Sequence, residues 1–331
     1  MIAMESTVHA LVAPGKGILA ADESLPTIGK RFAALAIPST EESRRSYREL
    51  LFTTPALEKF ISGAILFDET LRQRTADGST MPEFLAKRGI IPGIKVDGGT
   101  IPLPAFPGEK ITQGLDGLRA RLAEYRKLGA RFTKWRAVIA IDDQIPTSTG
   151  IEANARALAV FAALSQEAQL VPIVEPEVLM DGRHTLARCE EVTHATLKIV
   201  FDALYAHRVG FEQMLLKTGM VLPGKTCPQQ ADTQEIAAAT LRCLRRVVPA
   251  AVPGIVFLSG GQSPEEATRR LAAICAAAKT PWALSFSFGR ALQDPALQAW
   301  AGSAENASAA QAALHERALR NSAACHGEAL D

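Results

Sequence analysis

"QMLLKTGMV", residues 213–221, reads as a β-strand built almost wholly of apolar residues, with one lysine, Lys217, in its middle. Lysine is almost never fully buried unless a partner or a reaction holds it there. The stretch therefore sets two expectations, a strand inside the protein and an amine with a task.

Seven further runs share its character. They are 17–22 (GILAAD), 61–68 (ISGAILFD), 90–97 (IIPGIKVD), 131–141 (RFTKWRAVIAI), 169–178 (QLVPIVEPEV), 252–259 (VPGIVFLS) and 282–289 (WALSFSFG). Most are bounded by Gly, Pro, Asp or Ser, as strand ends are. Helical periodicity fills the gaps. Residues 112–128 place Leu115, Leu118, Leu122 and Tyr125 on one face. Ser39 with Glu42 reads as a capping box opening a helix toward Phe60. Ser263-Pro264-Glu265-Glu266 reads as a second, with proline at the first helical position. Strand–helix alternation repeated eight times predicts an α/β fold, a single (β/α)8 TIM barrel, rather than an open doubly wound sheet. No linker divides the chain, so residues 1–331 are expected to form one domain with a helical C-terminal segment around 291–324.

Composition narrows the function classes. Of 331 residues 47% are hydrophobic and 21% charged, with a formal net charge of +1, which is ordinary for a soluble globular protein. So little net charge argues against nucleic acid or an anionic membrane as partner, and any phosphate must be held by local residues. No apolar run is long enough to span a bilayer. The N-terminus lacks a basic segment followed by an apolar one, which points to a cytoplasmic protein. The five cysteines, Cys189, Cys227, Cys243, Cys275 and Cys325, are scattered and odd in number, which predicts free buried thiols. None of the six histidines (His9, His184, His194, His207, His315, His326) has zinc-ligand spacing, so no metal is expected. His184 lies in a loop near the fifth run.

In such a barrel the functional residues lie at the C-terminal ends of the strands. Asp22 ends the first run, and Lys95 and Asp97 lie in the third. Lys134 and Arg136 in the fourth, like Glu175 and Glu177 in the fifth, are two apart and share a face. Any one of these charges, taken alone, could be a structural salt bridge. Burying so many together without a ligand to serve would be costly. An inward lysine among cations and apolar walls loses its proton easily, and a neutral amine is what Schiff-base formation with a ketone requires. Nearby carboxylates can move the accompanying protons. Two motifs suit a phosphate: "LSGGQSPEE" (258–266), with glycines between a strand and a capped helix, and "SFSFGRAL" (285–292), with Gly289 and Arg290 after the last strand.

These motifs resemble the class I fructose-bisphosphate aldolases. The matching stretches are "GKGILAADES" (15–24), "GIKVDGG" (93–99), "TQGLDGL" (112–118), "KWR" (134–136), "PIVEPEVL" (172–179), "LLK" (215–217), "FLSGGQS" (257–263), "PWALSFSFGRALQ" (281–293) and "NSAAC" (321–325), in order over nearly the whole chain. The resemblance implies an aldehyde-lyase that needs no cofactor. It would split fructose 1,6-bisphosphate reversibly into dihydroxyacetone phosphate and glyceraldehyde 3-phosphate, in glycolysis and gluconeogenesis, commonly as a homotetramer. It implies Lys217 as the Schiff-base lysine, Glu175 as general acid/base, Lys134 as its electrostatic support, and Asp22 as the group that orients substrate hydroxyls and assists carbon–carbon cleavage. Ser259, Gly260, Gly261, Ser287, Gly289 and Arg290 match the site of the dihydroxyacetone-side phosphate. Lys95 and Arg136 match cations that handle the other phosphate, and Thr27 and Arg31 match contacts from a mobile helical segment. Glu177 is expected to be a pairing partner that tunes the lysines.

The chain departs from the family pattern in three places. Thr218-Gly219 follows the lysine where Pro-Asn is common, and Thr27 stands where many relatives have serine. Animal members end in a tyrosine that assists proton exchange, whereas this sequence ends at Asp331 and its last tyrosine is Tyr205. A Schiff-base aldolase for another sugar phosphate, such as sedoheptulose 1,7-bisphosphate or fructose 1-phosphate, would use the same lysine. A non-catalytic scaffold would have no use for Lys217, Glu175, Lys134 and Asp22 together.

Overall fold

The computed structural model describes residues 2–277 and 279–328. The end of the sequence at Asp331 lies outside them. Among the described residues there are ten strands: β1 (Gly17–Ala21), β2 (Ile61–Leu66), β3 (Ile91–Lys95), β4 (Thr100–Pro102), β5 (Lys110–Thr112), β6 (Phe132–Ile139), β7 (Val171–Val178), β8 (Leu215–Thr218), β9 (Gly254–Phe257) and β10 (Ala283–Phe288). All but β4 and β5 form a closed barrel in the order β1-β10-β9-β8-β7-β6-β3-β2. Every pairing in it is parallel. This is the expected (β/α)8 barrel, and all eight apolar runs supply its strands. β4 and β5 form a separate antiparallel hairpin.

The helices are α1 (Ile2–Leu11), α2 (Leu25–Ala33), α3 (Glu41–Phe52), α4 (Asp68–Arg72), α5 (Met81–Lys87), α6 (Leu118–Lys127), α7 (Ser148–Glu167), α8 (Leu186–Ala206), α9 (Thr233–Val247), α10 (Pro264–Ala276), α11 (Arg290–Trp300) and α12 (Ala307–Cys325). No described helix is long and apolar enough to cross a membrane.

Period-two alternation sorts each strand into two faces. Leu19, Trp135, Val174, Leu216, Phe257 and Phe286 belong to the core shared with the surrounding helices. Their neighbours Ile18, Ala20, Phe132, Ile173, Leu215 and Val256 fill the barrel interior. Val8, Leu11 and Val12, at the end of α1 and just after it, join that interior cluster and plug the end where the strands begin. Ser62 Oγ fastens the plug by donating to the Leu11 carbonyl at 2.5 Å. With this end sealed, inward positions farther along the strands face the opposite mouth.

Some local expectations shift. The capping box before α3 is Thr40 with Ser43, not Ser39 with Glu42. Thr40 Oγ1 accepts from Ser43 N at 3.1 Å, and Ser43 Oγ accepts from Thr40 N at 3.0 Å. The helix stops at Phe52 rather than running toward Phe60, because Thr54 precedes Pro55 and proline disfavours helical backbone before it. The helix expected over 112–128 begins at Leu118. Thr112 pairs with Thr100 in the hairpin, and Gly114 and Gly117 take φ of 122° and 67°. Leu118, Leu122 and Tyr125 are buried on α6 as expected, while Leu115 lies before it. The box of Ser263 and Glu266 opens α10 as read. All five cysteines are free; Cys189, Cys227 and Cys243 are buried, and Cys275 and Cys325 are only half-buried.

Candidate active site

Two residues beyond the apolar floor, the inward positions become charged. Phe132 is followed on its face by Lys134, Ile173 by Glu175, Leu215 by Lys217, and Ala20 by Asp22. These four side chains meet inside the barrel, each no more than a tenth exposed. Glu175 bridges the two lysines, with Oε1 3.2 Å from Lys217 Nζ and Oε2 2.9 Å from Lys134 Nζ. Lys134 also donates to Asp22 Oδ2 at 2.9 Å.

The two lysines titrate in opposite directions. Burial lowers the Lys217 amine; Glu175 and Asp22 oppose this, Lys134 reinforces it, and the result lies below the ordinary lysine value. Burial also works against the Lys134 ammonium, but Asp22 and Glu175 touch it and Asp97 adds to them, so it is raised. Burial would raise the Glu175 carboxyl, but Lys134, Lys217 and Arg136 hold it below the usual carboxylate range. The same contest, settled by Lys134, Lys217 and Lys95, lowers Asp22 to about 2. One amine thus gives up its proton more readily than an ordinary lysine, beside a more firmly protonated one and two carboxylates. That set can attack a carbonyl carbon and carry the protons of the addition.

The next inward positions form a more open layer. Arg136 Nε donates to Glu177 Oε2 at 2.5 Å, with the arginine side chain 39% exposed. Glu177 therefore pairs with Arg136 and not with a lysine, contrary to expectation. Lys134 is taken by carboxylates one layer deeper, which leaves Glu177 to the guanidinium at its own level. Lys95 donates to Asp97 Oδ1 at 2.5 Å, and the same carboxylate accepts from Gly99 N at 3.1 Å and Arg136 N at 3.2 Å.

Across the mouth the chain turns sharply after β9. Ser259 is buried, and Gly260 and Gly261 follow with φ of 41° and 83°. This backbone suits glycine and leads directly to the N-terminus of α10. On β10, Ser287 is buried and its Oγ has no hydrogen-bond partner among the described residues. Gly289 caps α11, and Arg290 is its exposed first residue.

The sequence model of the fructose-bisphosphate aldolase class-I family matches residues 3–330. The chain belongs to this family. It is 56% identical over 326 residues to the probable fructose-bisphosphate aldolase class 1 of Xanthomonas axonopodis pv. citri, covering 98% of each chain. Against the cytosolic fructose-bisphosphate aldolase 5 of Arabidopsis thaliana the identity is 52% over 323 residues, covering 97% of this chain and 90% of the relative. A solved fructose-bisphosphate aldolase of Plasmodium falciparum, in complex with TRAP and a small-molecule inhibitor, superposes with a TM-score of 0.98. It is 50% identical, with 100% of this chain and 96% of the other covered.

In this aldolase chain the remaining expected residues sit on and beside α2. Thr27 Oγ1 lies 3.0 Å from Ser24 Oγ. Arg31 pairs with Glu23 and donates to Asp294 Oδ1 at 2.8 Å. The composition of this network was missed in the sequence. Glu23 also pairs with Arg48 at 2.7 Å, and Gln293 Nε2 donates to Glu23 Oε1 at 2.9 Å. Its one visible signal was the second acid of "ADES". His184 is half-buried in the loop after β7. Among the described residues no group of three or more His, Cys, Asp or Glu could hold a metal ion.

Proposed function

We propose that this chain, as one catalytic unit, cleaves and re-forms fructose 1,6-bisphosphate through a Schiff base on Lys217. The observation that carries this is the Glu175 carboxylate bridging two buried lysines, 3.2 Å from Lys217 Nζ and 2.9 Å from Lys134 Nζ. Lys217 Nζ adds to the ketone carbon, and Glu175 carries one proton from the newly bonded nitrogen to the alkoxide oxygen. Glu175 then takes up a second proton from solvent and passes it to the carbinolamine hydroxyl, which leaves as water. Lys134 keeps Glu175 and Asp22 oriented and ionised between proton transfers. In the iminium the nitrogen accepts the electron pair of the adjacent carbon–carbon bond. That bond breaks when the hydroxyl on the departing carbon gives its proton to Glu175, with Asp22 orienting the hydroxyls, and the departing half leaves as the aldehyde glyceraldehyde 3-phosphate. The enamine then takes a proton on carbon, and water releases dihydroxyacetone phosphate and restores Lys217.

Ser259, Gly260, Gly261, Ser287, Gly289 and Arg290 would hold the dihydroxyacetone-side phosphate, where backbone N–H groups at a turn before a helix favour an anion. Lys95 and Arg136 would meet the other phosphate, with Thr27 and Arg31 approaching from α2. The relatives are named for fructose bisphosphate, which favours that substrate over another sugar phosphate. A homotetramer in the cytoplasm is the assembly and location we infer, the latter supported by the cytosolic plant relative. The test is borohydride reduction in the presence of dihydroxyacetone phosphate, followed by peptide mapping. The label is expected on Lys217; a label on another lysine, or none, overturns the reading.

A further inference from the structure

Lys225 has no place in the scheme so far, yet it rests on the glycine turn after β9. A methyl group built on Gly261 would lie 2.8 Å from both Cε and Nζ of Lys225. The lysine stem thus lies flat against a backbone that only glycine leaves bare, with the ammonium at the edge of the turn.

The backbone fixes it there. Lys225 N donates to the Met180 carbonyl at 2.8 Å, Gly224 N to His184 O at 2.8 Å, and Thr226 N to Gly182 O at 3.0 Å. The loop after the Lys217 strand is thereby laced to the loop after the Glu175 strand. A side chain on Gly224 would run into the Gly182 carbonyl, so the two loops are in backbone contact. The side chain, by contrast, is held loosely. Its carboxylate partner is Asp181 at 3.1 Å, with Lys225 43% and Asp181 70% exposed. An ion pair this open is worth little, so a doubly charged phosphate can displace the aspartate at small cost. The same turn presents buried Ser259 and leads into the capped N-terminus of α10.

We propose that Lys225 is a further substrate-binding residue, which exchanges Asp181 for the dihydroxyacetone-side phosphate and closes the rim over Gly261. This rests on the functional reading above and adds a cation to its phosphate site. In the resting protein Asp181 then acts as a competitor for the lysine.

Steady-state cleavage by the full chain, with fructose 1,6-bisphosphate and fructose 1-phosphate as paired substrates, tests it. Lys225→Met should raise KM about five- to tenfold, equally for both substrates because both carry that phosphate, with kcat within about twofold. Lys225→Arg should recover most of the loss. Asp181→Asn should move the other way, lowering KM about two- to threefold, because it frees the lysine. If Lys225 served only as a structural latch, breaking the pair from either side would shift KM in the same direction. That result, or unchanged KM in Lys225→Met, overturns the proposal. A rise confined to the bisphosphate also overturns it, because the lysine would then read the other phosphate. Wild-type protein that gives no borohydride-trapped adduct defeats the functional reading and this proposal with it. Normal trapping on Lys217 with unchanged KM in Lys225→Met defeats only the role of Lys225.

Discussion

Lys134 and Glu175 form one layer of the barrel interior; Arg136 and Glu177, on the same strands and the same faces, form the next. The steps between them are two residues, or about 6.6 Å. Both layers are carboxylate–cation pairs at 2.5–2.9 Å. Their surroundings separate them. The deeper side chains are 6% and 3% exposed, the outer ones 39% and 11%. In the deeper layer burial and neighbouring charge compete strongly enough to drive Lys134 and Lys217 in opposite directions. Lys134 touches two carboxylates and Lys217 one, which is the difference that singles out Lys217 as the proposed nucleophile. The outer layer has more water and permanently charged guanidinium, a better medium for exchanging ligands than for moving protons.

This division can be broken by experiment. Glu175→Gln keeps the shape but removes the proposed proton carrier and the anion that both lysines face. It should cut kcat about 10²- to 10⁴-fold with little change in KM, measured by coupled assay of cleavage. Arg136→Met, one layer out, should do the reverse and less. KM for fructose 1,6-bisphosphate should rise about tenfold, KM for fructose 1-phosphate hardly at all, and kcat should hold. If Arg136→Met lowers kcat as far as Glu175→Gln does, the layers do not divide chemistry from binding.

The strands were legible because a closed parallel barrel needs short, nearly continuous apolar runs, and five of the eight here end in Asp, Ser or Gly. The inward charges were legible through the same alternation. Lys134 and Arg136, two apart on an apolar strand, had to share a face, and they do. What escaped the reading depended on long-range contacts. The hairpin of β4 and β5 is exposed over most of its length and carries Pro102, so it has no apolar alternation to betray it. Glu177 was assigned to lysines because spacing gives a face but not a partner. Lys225 stands in a loop with no periodicity, and its importance shows only once Gly261 is seen beneath it. The chain's departure at Thr218-Gly219 proves sterically mild. A side chain on Gly219 would meet Val178 O at 3.8 Å and Leu258 Cδ1 at 3.9 Å, ordinary contact distances.

In the proposed mechanism, burial beside a single touching carboxylate, Glu175, keeps the Lys217 amine reactive while Lys134 stays charged. This is tested most directly by the pH dependence of the initial rate of borohydride trapping on Lys217 with saturating dihydroxyacetone phosphate. A lowered folded-state pKa means that the amine is protonated only at lower pH. The rate should therefore climb as pH rises through that lowered value and level off below the ordinary lysine value of about 10.4. A rate still climbing through that ordinary value, or a label that moves to Lys134, would contradict this role of Lys217.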